Sequence, residues 1–177
     1  MRYPVPHLVV DVKPVTRCDV PLLEAHLPFG VPGKHADRSV RQSEGRVVYL
    51  IAWYNGAPIG HALLKWQGAD EDHIASVLQG TCPDVEDLFV LESFRSQGVG
   101  RRILDAAERL ACERGFQYIG LSVGVDNPRA RALYERCGYR DAGLGPLREH
   151  LEYLDASGRR QTWDEICVYL TKPLHYS

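Results

Sequence analysis

The stretch Arg95-Ser-Gln-Gly-Val-Gly-Arg101 constrains this chain more than any other, because it joins two segments of opposite period. Before it, Val85-Glu-Asp-Leu-Phe-Val90 mixes apolar and polar residues and reads as a half-buried strand. After it, Val99, Ile103, Ala107, Leu110 and Ala111 recur at helical spacing, with Asp105–Arg109 and Arg109–Glu113 as i,i+4 charge pairs on the other face. A strand that turns through two glycines into a helix start is a physical device for holding phosphate. The first helical N–H groups lack intrahelical partners, and the helix dipole favours an anion there. Gly98 and Gly100 let a ligand approach the backbone without a Cβ in the way. Arg95 and Arg101 add charge that can reach phosphate oxygens. Their plain alternative is a solvated helix start.

The flanking segments extend this pattern into a domain. Val9–Val15 reads as a strand, and Asp19 followed by Pro21 opens a short helix to about Leu27. Pro28–Lys34 is too rich in Pro and Gly for regular structure, and a second short helix covers Ala36–Ser43. Arg46–Tyr54 and Ala57–Trp66 flank Asn55-Gly56, the strongest short hairpin signal in the chain. Gly68–Pro83 is polar and broken. The strand at 85–91 and the helix from about 98 to 114 follow, with Gly115 as its stop. Tyr118–Val123 is the next strand, and Asn127-Pro128 is a capping pair that opens a further helix. That helix carries an apolar stripe of Ala130, Leu133, Tyr134 and Cys137 and stops at Gly138. Tyr139–Ala142 and Glu165–Lys172 are the last expected strands, separated by a long polar connection, Gly143–Asp164, with a turn at Asp155-Ala-Ser-Gly158. The order β-α-α-β-β-β-α-β-α-β-β is that of a mixed α/β domain, and residues 1–177 read as one domain without repeats or linkers.

The loop and the later helix together resemble one family. Asp126-Asn-Pro-Arg-Ala-Arg-Ala-Leu-Tyr-Glu-Arg-Cys-Gly-Tyr139 lies about 26 residues beyond Gly100. With the Arg-x-x-Gly-x-Gly loop it is similar to the GCN5-related N-acetyltransferase (GNAT) superfamily, over about Val85–Tyr139 in its specific part. The resemblance implies an α/β (α+β) fold: a mixed, mostly antiparallel central sheet flanked by helices, with splayed central strands. It implies acetyl-coenzyme A as the donor, with no metal. It places the pyrophosphate on the backbone of Ser96, Gln97, Gly98, Val99, Gly100 and Arg101, and the pantetheine arm along Leu88, Phe89 and Val90. It implies cofactor contact by Asn127, and a proton from Tyr134 to the departing thiolate. Read without the resemblance, Asn127 is a helix cap and Tyr134 a core aromatic.

Family membership implies direct attack by an amine, without an acyl-enzyme. The amine must be neutral. A lysine-like amine is only about 0.1% neutral at neutral pH, so a proton acceptor helps. Glu86 is the favoured base, with Asp84 and Asp87 nearby; strict period two puts Asp84 and Glu86 on the face of Leu88 and Val90, and Asp87 opposite. The alternative is a solvated or salt-bridged carboxylate. His61 is a further proton acceptor to weigh, with a packed strand histidine as its ordinary reading; His26, His35 and His150 border the expected acceptor cleft. Relatives that acetylate ribosomal-protein N-termini carry a glutamate where this chain has Ser122.

Composition narrows the partners. Net charge is −2, so no general attraction to nucleic acid is expected. No apolar run approaches the roughly 20 residues of a membrane helix. The N-terminal stretch lacks a signal-peptide core with a cleavage site, and a cytoplasmic location is expected. Five scattered cysteines form no zinc-spaced cluster and read as reduced structural thiols, with Cys82 the one that could be exposed near the site. The expected activity is acetyl transfer to a primary amine of a small molecule or peptide. The alternatives are a protein lysine or N-terminal acetyltransferase and a non-catalytic acyl-CoA-binding module. The acidic residues Asp70, Glu71, Asp72, Glu149, Glu152 and Asp155 would suit a cationic amine, but Arg148, Arg159 and Arg160 leave the acceptor unread. Many members of the superfamily form homodimers through exposed strands, and Glu165–Lys172 is the expected edge.

Overall fold

The structure is a computed structural model that describes residues 8–27, 31–78, 80–154 and 157–175. A seven-stranded sheet runs in the order β1-β2-β3-β4-β5-β7-β6. Its strands are β1 (Asp11–Pro14), β2 (Val47–Tyr54), β3 (Ala57–Lys65), β4 (Asp84–Val90), β5 (Tyr118–Gly124), β6 (Arg140–Leu154) and β7 (Arg160–Pro173). The helices are α1 (Val20–His26), α2 (Lys34–Ser43), α3 (Asp72–Leu78), α4 (Val99–Glu113) and α5 (Pro128–Arg136). Every neighbouring pair is antiparallel except β4 and β5, which are parallel. The sheet is thus the mixed, mostly antiparallel one expected.

Two layers of helix cover it. On one face, Val99, Ile103, Leu104 and Ala107 of α4 and Tyr134 and Cys137 of α5 pack against Leu64, Val85, Leu121 and Val123. On the other, Leu23 of α1 closes on Tyr49, Ile51 and Leu63, while Ile74 of α3 meets Leu147 and Tyr169. Tight turns follow the punctuation in the chain: Asn55 and Gly56 both have positive φ, as the two-residue hairpin requires, and Gly115 and Gly138 stop α4 and α5 in the left-handed region.

Three expectations on organisation are corrected. Gly68–Pro83 carries α3, a helix of seven residues that polar spacing concealed. Gly143–Asp164 is no connection: β6 and β7 pair from Leu154↔Arg160 inward, as a ribbon that projects past the end of β5. Solvated on both faces over much of its length, that ribbon lacks the apolar alternation by which strands are recognised. Its pairing also places β7 between β5 and β6, so β7 is not an edge; β1 and β6 are the edges. The expected irregular run begins in residues 28–30, and the expected turn begins in residues 155–156, which both lie outside the described residues. Of the cysteines, all five are free, and Cys82 is buried rather than exposed.

Candidate active site

The site forms where two parallel strands part. β4 and β5 are paired only at Asp84↔Gly120, with the Gly120 amide donating to the Pro83 carbonyl at 3.0 Å. Beyond that point β4 keeps a ladder on β3 alone, and β5 keeps one on β7. The gap between them leaves a cavity of about 460 Å³ on the α4 side. Leu88, Phe89 and Val90 line it from the strand, Arg95, Ser96, Gly98, Val99, Gly100 and Arg101 from the loop and helix start, and Asn127 and Tyr134 from α5 and its cap. The expected cofactor residues therefore share one cleft. Gln97 is the exception: its amide turns away to donate to the Ser93 carbonyl at 2.8 Å. Five lining residues were not picked out in the sequence: Phe94, Arg129, Ala130, Leu133 and Arg136. Ala130 and Leu133 were legible only as an apolar stripe. Arg129 and Arg136 recur seven residues apart, two turns, on the α5 face toward the loop, a spacing that could have exposed them.

The loop is shaped by local backbone geometry. Ser96 and Gly98 both have positive φ, +62° and +83°, so the chain turns sharply into α4 and leaves its first amides directed outward. Gly100 serves a second need: a Cβ there would meet Leu133 Cδ2 at 3.1 Å, so its absence lets α5 close against α4. Arg95 folds back, with Nε donating to the Val90 carbonyl at 3.0 Å, and ties the loop to the strand. Arg129 donates to Ser96 Oγ at 3.1 Å. Four arginines line the cavity and no carboxylate does. Main-chain donors with guanidinium groups around them fit an anionic phosphate ligand.

At the helix end of the cleft, Asn127 Oδ1 accepts from the Ala130 amide at 3.1 Å, so it is a helix cap as well as a lining residue. Tyr134 is 8% exposed, and burial, helped by Cys137, pushes its hydroxyl up to about 12. It stays protonated at any ordinary pH and is suited to donate, not to abstract.

Strand β4 departs from strict alternation. Between His61↔Phe89 and Leu63↔Glu86, one residue of β3, Ala62, faces two of β4, Asp87 and Leu88, and Asp87 takes φ +49°. This bulge overturns the period-two assignment. Val85, Leu88 and Val90 pack with α4, whereas Asp84, Glu86, Asp87 and the ring of Phe89 belong to the opposite face. Glu86 therefore does not line the cavity. Its carboxylate accepts from Lys65 Nζ at 2.6 Å, and Asp70 shares that ammonium at 2.6 Å. Asp84 is buried and accepts from the Tyr169 hydroxyl at 2.9 Å. Burial first, then the Glu86 charge, raises its carboxyl to about 8 against the pull of Lys65 and Tyr169. Gly120 makes this contact possible, since a Cβ there would lie 2.3 Å from the Tyr169 hydroxyl.

The histidines separate clearly. His61 is 2% exposed and stacks on Phe89 with centroids 5.3 Å apart; burial, then Arg38 and His35, lowers it to about 3, so it is neutral. His35 is buried, between the Tyr49 hydroxyl at 2.7 Å and the Leu27 carbonyl at 3.0 Å. His26 and His150 are exposed, His150 beside Asp164 at 2.6 Å. Ser122 shares the face of Tyr169, its partner across β7. Among the described residues no group of three or more His, Cys, Asp or Glu could hold a metal, and no helix is long and apolar enough to cross a membrane.

Comparison with known proteins agrees with this geometry. The model of the acetyltransferase (GNAT) family matches residues 20–139. An uncharacterized N-acetyltransferase of Methanocaldococcus jannaschii is 27% identical over 93 residues, 52% of this chain and 39% of that protein. An uncharacterized N-acetyltransferase of Bacillus subtilis is 33% identical over 109 residues, 62% of this chain and 69% of that protein. The chain thus spans well under half of the first relative's length and about two-thirds of the second's. In fold, the ribosomal-protein-S18-alanine N-acetyltransferase of Escherichia coli aligns with TM-score 0.63 at 19% identity, over 96% of each chain. The chain belongs to the GNAT family of acetyltransferases.

Proposed function

We propose that this protein, as a single domain over residues 1–177, transfers the acetyl group of acetyl-coenzyme A to a primary amine of a small molecule or peptide. The observation that carries the proposal is the cavity between β4 and β5: four arginines and a run of loop amides at one end, a buried, protonated Tyr134 at the other, and no carboxylate between. When bound there, acetyl-coenzyme A supplies an activated thioester that an amine can attack directly.

The chain's residues divide the work. Backbone amides of Ser96 to Arg101 hold pyrophosphate, with Arg101, Arg129 and Arg136 at hand for charge. The main chain of Leu88–Val90 lies along the pantetheine arm, and an amide around Phe89–Val90 donates to the carbonyl oxygen as charge develops. Asn127 contacts the same arm. Tyr134 gives a proton or hydrogen bond to the leaving sulfur. The acceptor enters from the opposite face of β4, where Glu86 is the proposed proton acceptor, directly or through water. There Lys65 holds Glu86 in place and Asp84 is buried behind it.

Release of free thiol from acetyl-coenzyme A, screened against diamines, polyamines, aminoglycosides and peptides with free α-amino or lysine amines, tests this reading. Turnover with at least one amine is expected. Tight acetyl-coenzyme A binding with no thiol release across the panel would instead identify a binding module, and no binding at all would refute the cofactor assignment. Release with peptides alone, and acetylated peptide seen by mass spectrometry, would move the acceptor to protein amines.

A further inference from the structure

Beyond Asp84, β4 has lost β5 and is held by one ladder only. The bulge at Asp87 lies in that half-supported stretch, immediately before the residues that line the cleft. A bulge that slipped by one residue would exchange the faces of everything after it. Something must pin it.

The pin comes from α2. Arg38 is 2% exposed and donates through its guanidinium to the Asp87 carboxylate, although Asp87 itself is half exposed. Lys34, one turn earlier on α2, stands 3.8 Å from the same oxygen. Burial would raise the Asp87 carboxyl, but Arg38 and then Lys34 outweigh it, and the group is held below the ordinary aspartate range. The cation is the fixed partner. Its guanidinium lies 5.2 Å from the centre of the Tyr49 ring, and Gln42 anchors the next turn of α2. Gln42 Nε2 donates to the Val15 carbonyl at 2.7 Å, and its Oε1 accepts from the Tyr49 amide at 2.8 Å. Asp87 is also among the few residue types that tolerate a left-handed conformation.

We infer that Arg38 is a positioning residue for acetyl transfer, holding Asp87 so that the β4 bulge keeps the Phe89 and Val90 main chain turned toward the cleft. This rests on the function proposed above. It couples the helix on the acceptor side of the sheet to the strand that faces the donor.

Three variants test it: Asp87→Gly, which keeps the permitted φ but removes the carboxylate; Arg38→Met with Asp87→Gly, which also removes the buried cation; and Arg38→Lys, which keeps a charge for Asp87. Turnover is read as thiol release from acetyl-coenzyme A with the best acceptor of the amine panel. The first two variants should lose about tenfold or more in kcat, since small misplacements are costly in turnover. Their affinity for coenzyme A by calorimetry should fall by far less than kcat, because the phosphate loop at Ser96–Arg101 is untouched and only the strand beside the pantetheine arm is loosened. Arg38→Lys should recover most of the turnover. Amide hydrogen exchange at Leu88–Val90 should quicken in the first two variants and not in the third. Wild-type turnover in both carboxylate-free variants, or unchanged exchange at Leu88–Val90, would overturn the inference alone. Failure of the wild-type protein to bind acetyl-coenzyme A would overturn the functional reading, and this inference with it.

Discussion

The two faces of β4 are built on different principles. Toward α4 it offers main chain, apolar side chains and a loop of outward amides, ringed by arginines. Toward α2 and α3 it carries three carboxylates, each met by a side chain from a distant part of the chain: Asp84 by Tyr169, Glu86 by Lys65 and Asp87 by Arg38. The first face is an opening made by local backbone geometry, and the second is a packed polar network. The cleft is lined by guanidinium groups and no carboxylate, whereas on the other face each carboxylate, from buried Asp84 to half-exposed Asp87, has a polar side-chain partner.

The sharpest way to break this comparison is at Tyr134, whose proposed role as proton donor belongs to the open face. Tyr134→Phe removes one hydroxyl from an apolar helix stripe and should leave the fold and coenzyme A affinity nearly unchanged. Turnover should fall about 100-fold, roughly 2.7 kcal/mol in the barrier. Steady-state rates beside calorimetric affinities decide it; equal turnover removes Tyr134 from the mechanism.

On the packed face the largest effect is expected at Gly120. In Gly120→Ala the new Cβ would lie 2.3 Å from the Tyr169 hydroxyl and 2.6 Å from its ring. The tyrosine must move and Asp84 loses its donor, at a cost of about 2–3 kcal/mol in urea unfolding. A loss below about 0.5 kcal/mol would mean that the Tyr169–Asp84 contact contributes nothing.

The same contrast separates what could be read in the chain from what could not. The Arg95–Arg101 loop and the Asn127–Tyr134 helix are contiguous, and glycines, a cap and a 3.6-residue stripe fix their geometry locally, so most of the cleft was legible. The bulge at Asp87 was not: Glu86-Asp87 followed by Leu88-Phe89-Val90 does interrupt strict alternation, but the interruption does not tell which residue turns outward, and Arg38, which meets Asp87, lies 49 residues away. Tyr169 reaches Asp84 from 85 residues away, across a glycine whose importance is visible only in three dimensions. The β6–β7 ribbon escaped for a third reason: exposed on both sides, it carries no pattern that burial would impose.

Asp84 gives a pH-dependent test. Its carboxyl ionises near 8 when folded and near 4 in an unfolded chain, so the folded state holds the proton more tightly. Stability is therefore expected to fall as pH rises between these values, by at most about 1.4 kcal/mol per unit, and to level off outside them. Asp84→Asn keeps an oxygen for Tyr169 and removes the titration. Its stability should lack that decline between about pH 5 and 8, and slopes matching the wild type would show that Asp84 ionises normally.

The smallest expected effect concerns Glu86, which lies on the packed face yet is proposed to serve the reaction. Its partner Lys65 is buried and is itself shared with Asp70. In Glu86→Gln, Lys65 keeps Asp70 as an anion and the amide oxygen as an acceptor, so stability should change by less than about 1 kcal/mol. If Glu86 takes the proton of the amine, turnover should drop several-fold and the acidic limb of the pH–rate profile should move or vanish. If the profile is identical, the carboxylate only holds Lys65, and the proton leaves through water or another group. That result would make the division between the two faces complete, with chemistry confined to the cleft and the opposite face serving only to hold β4 in shape.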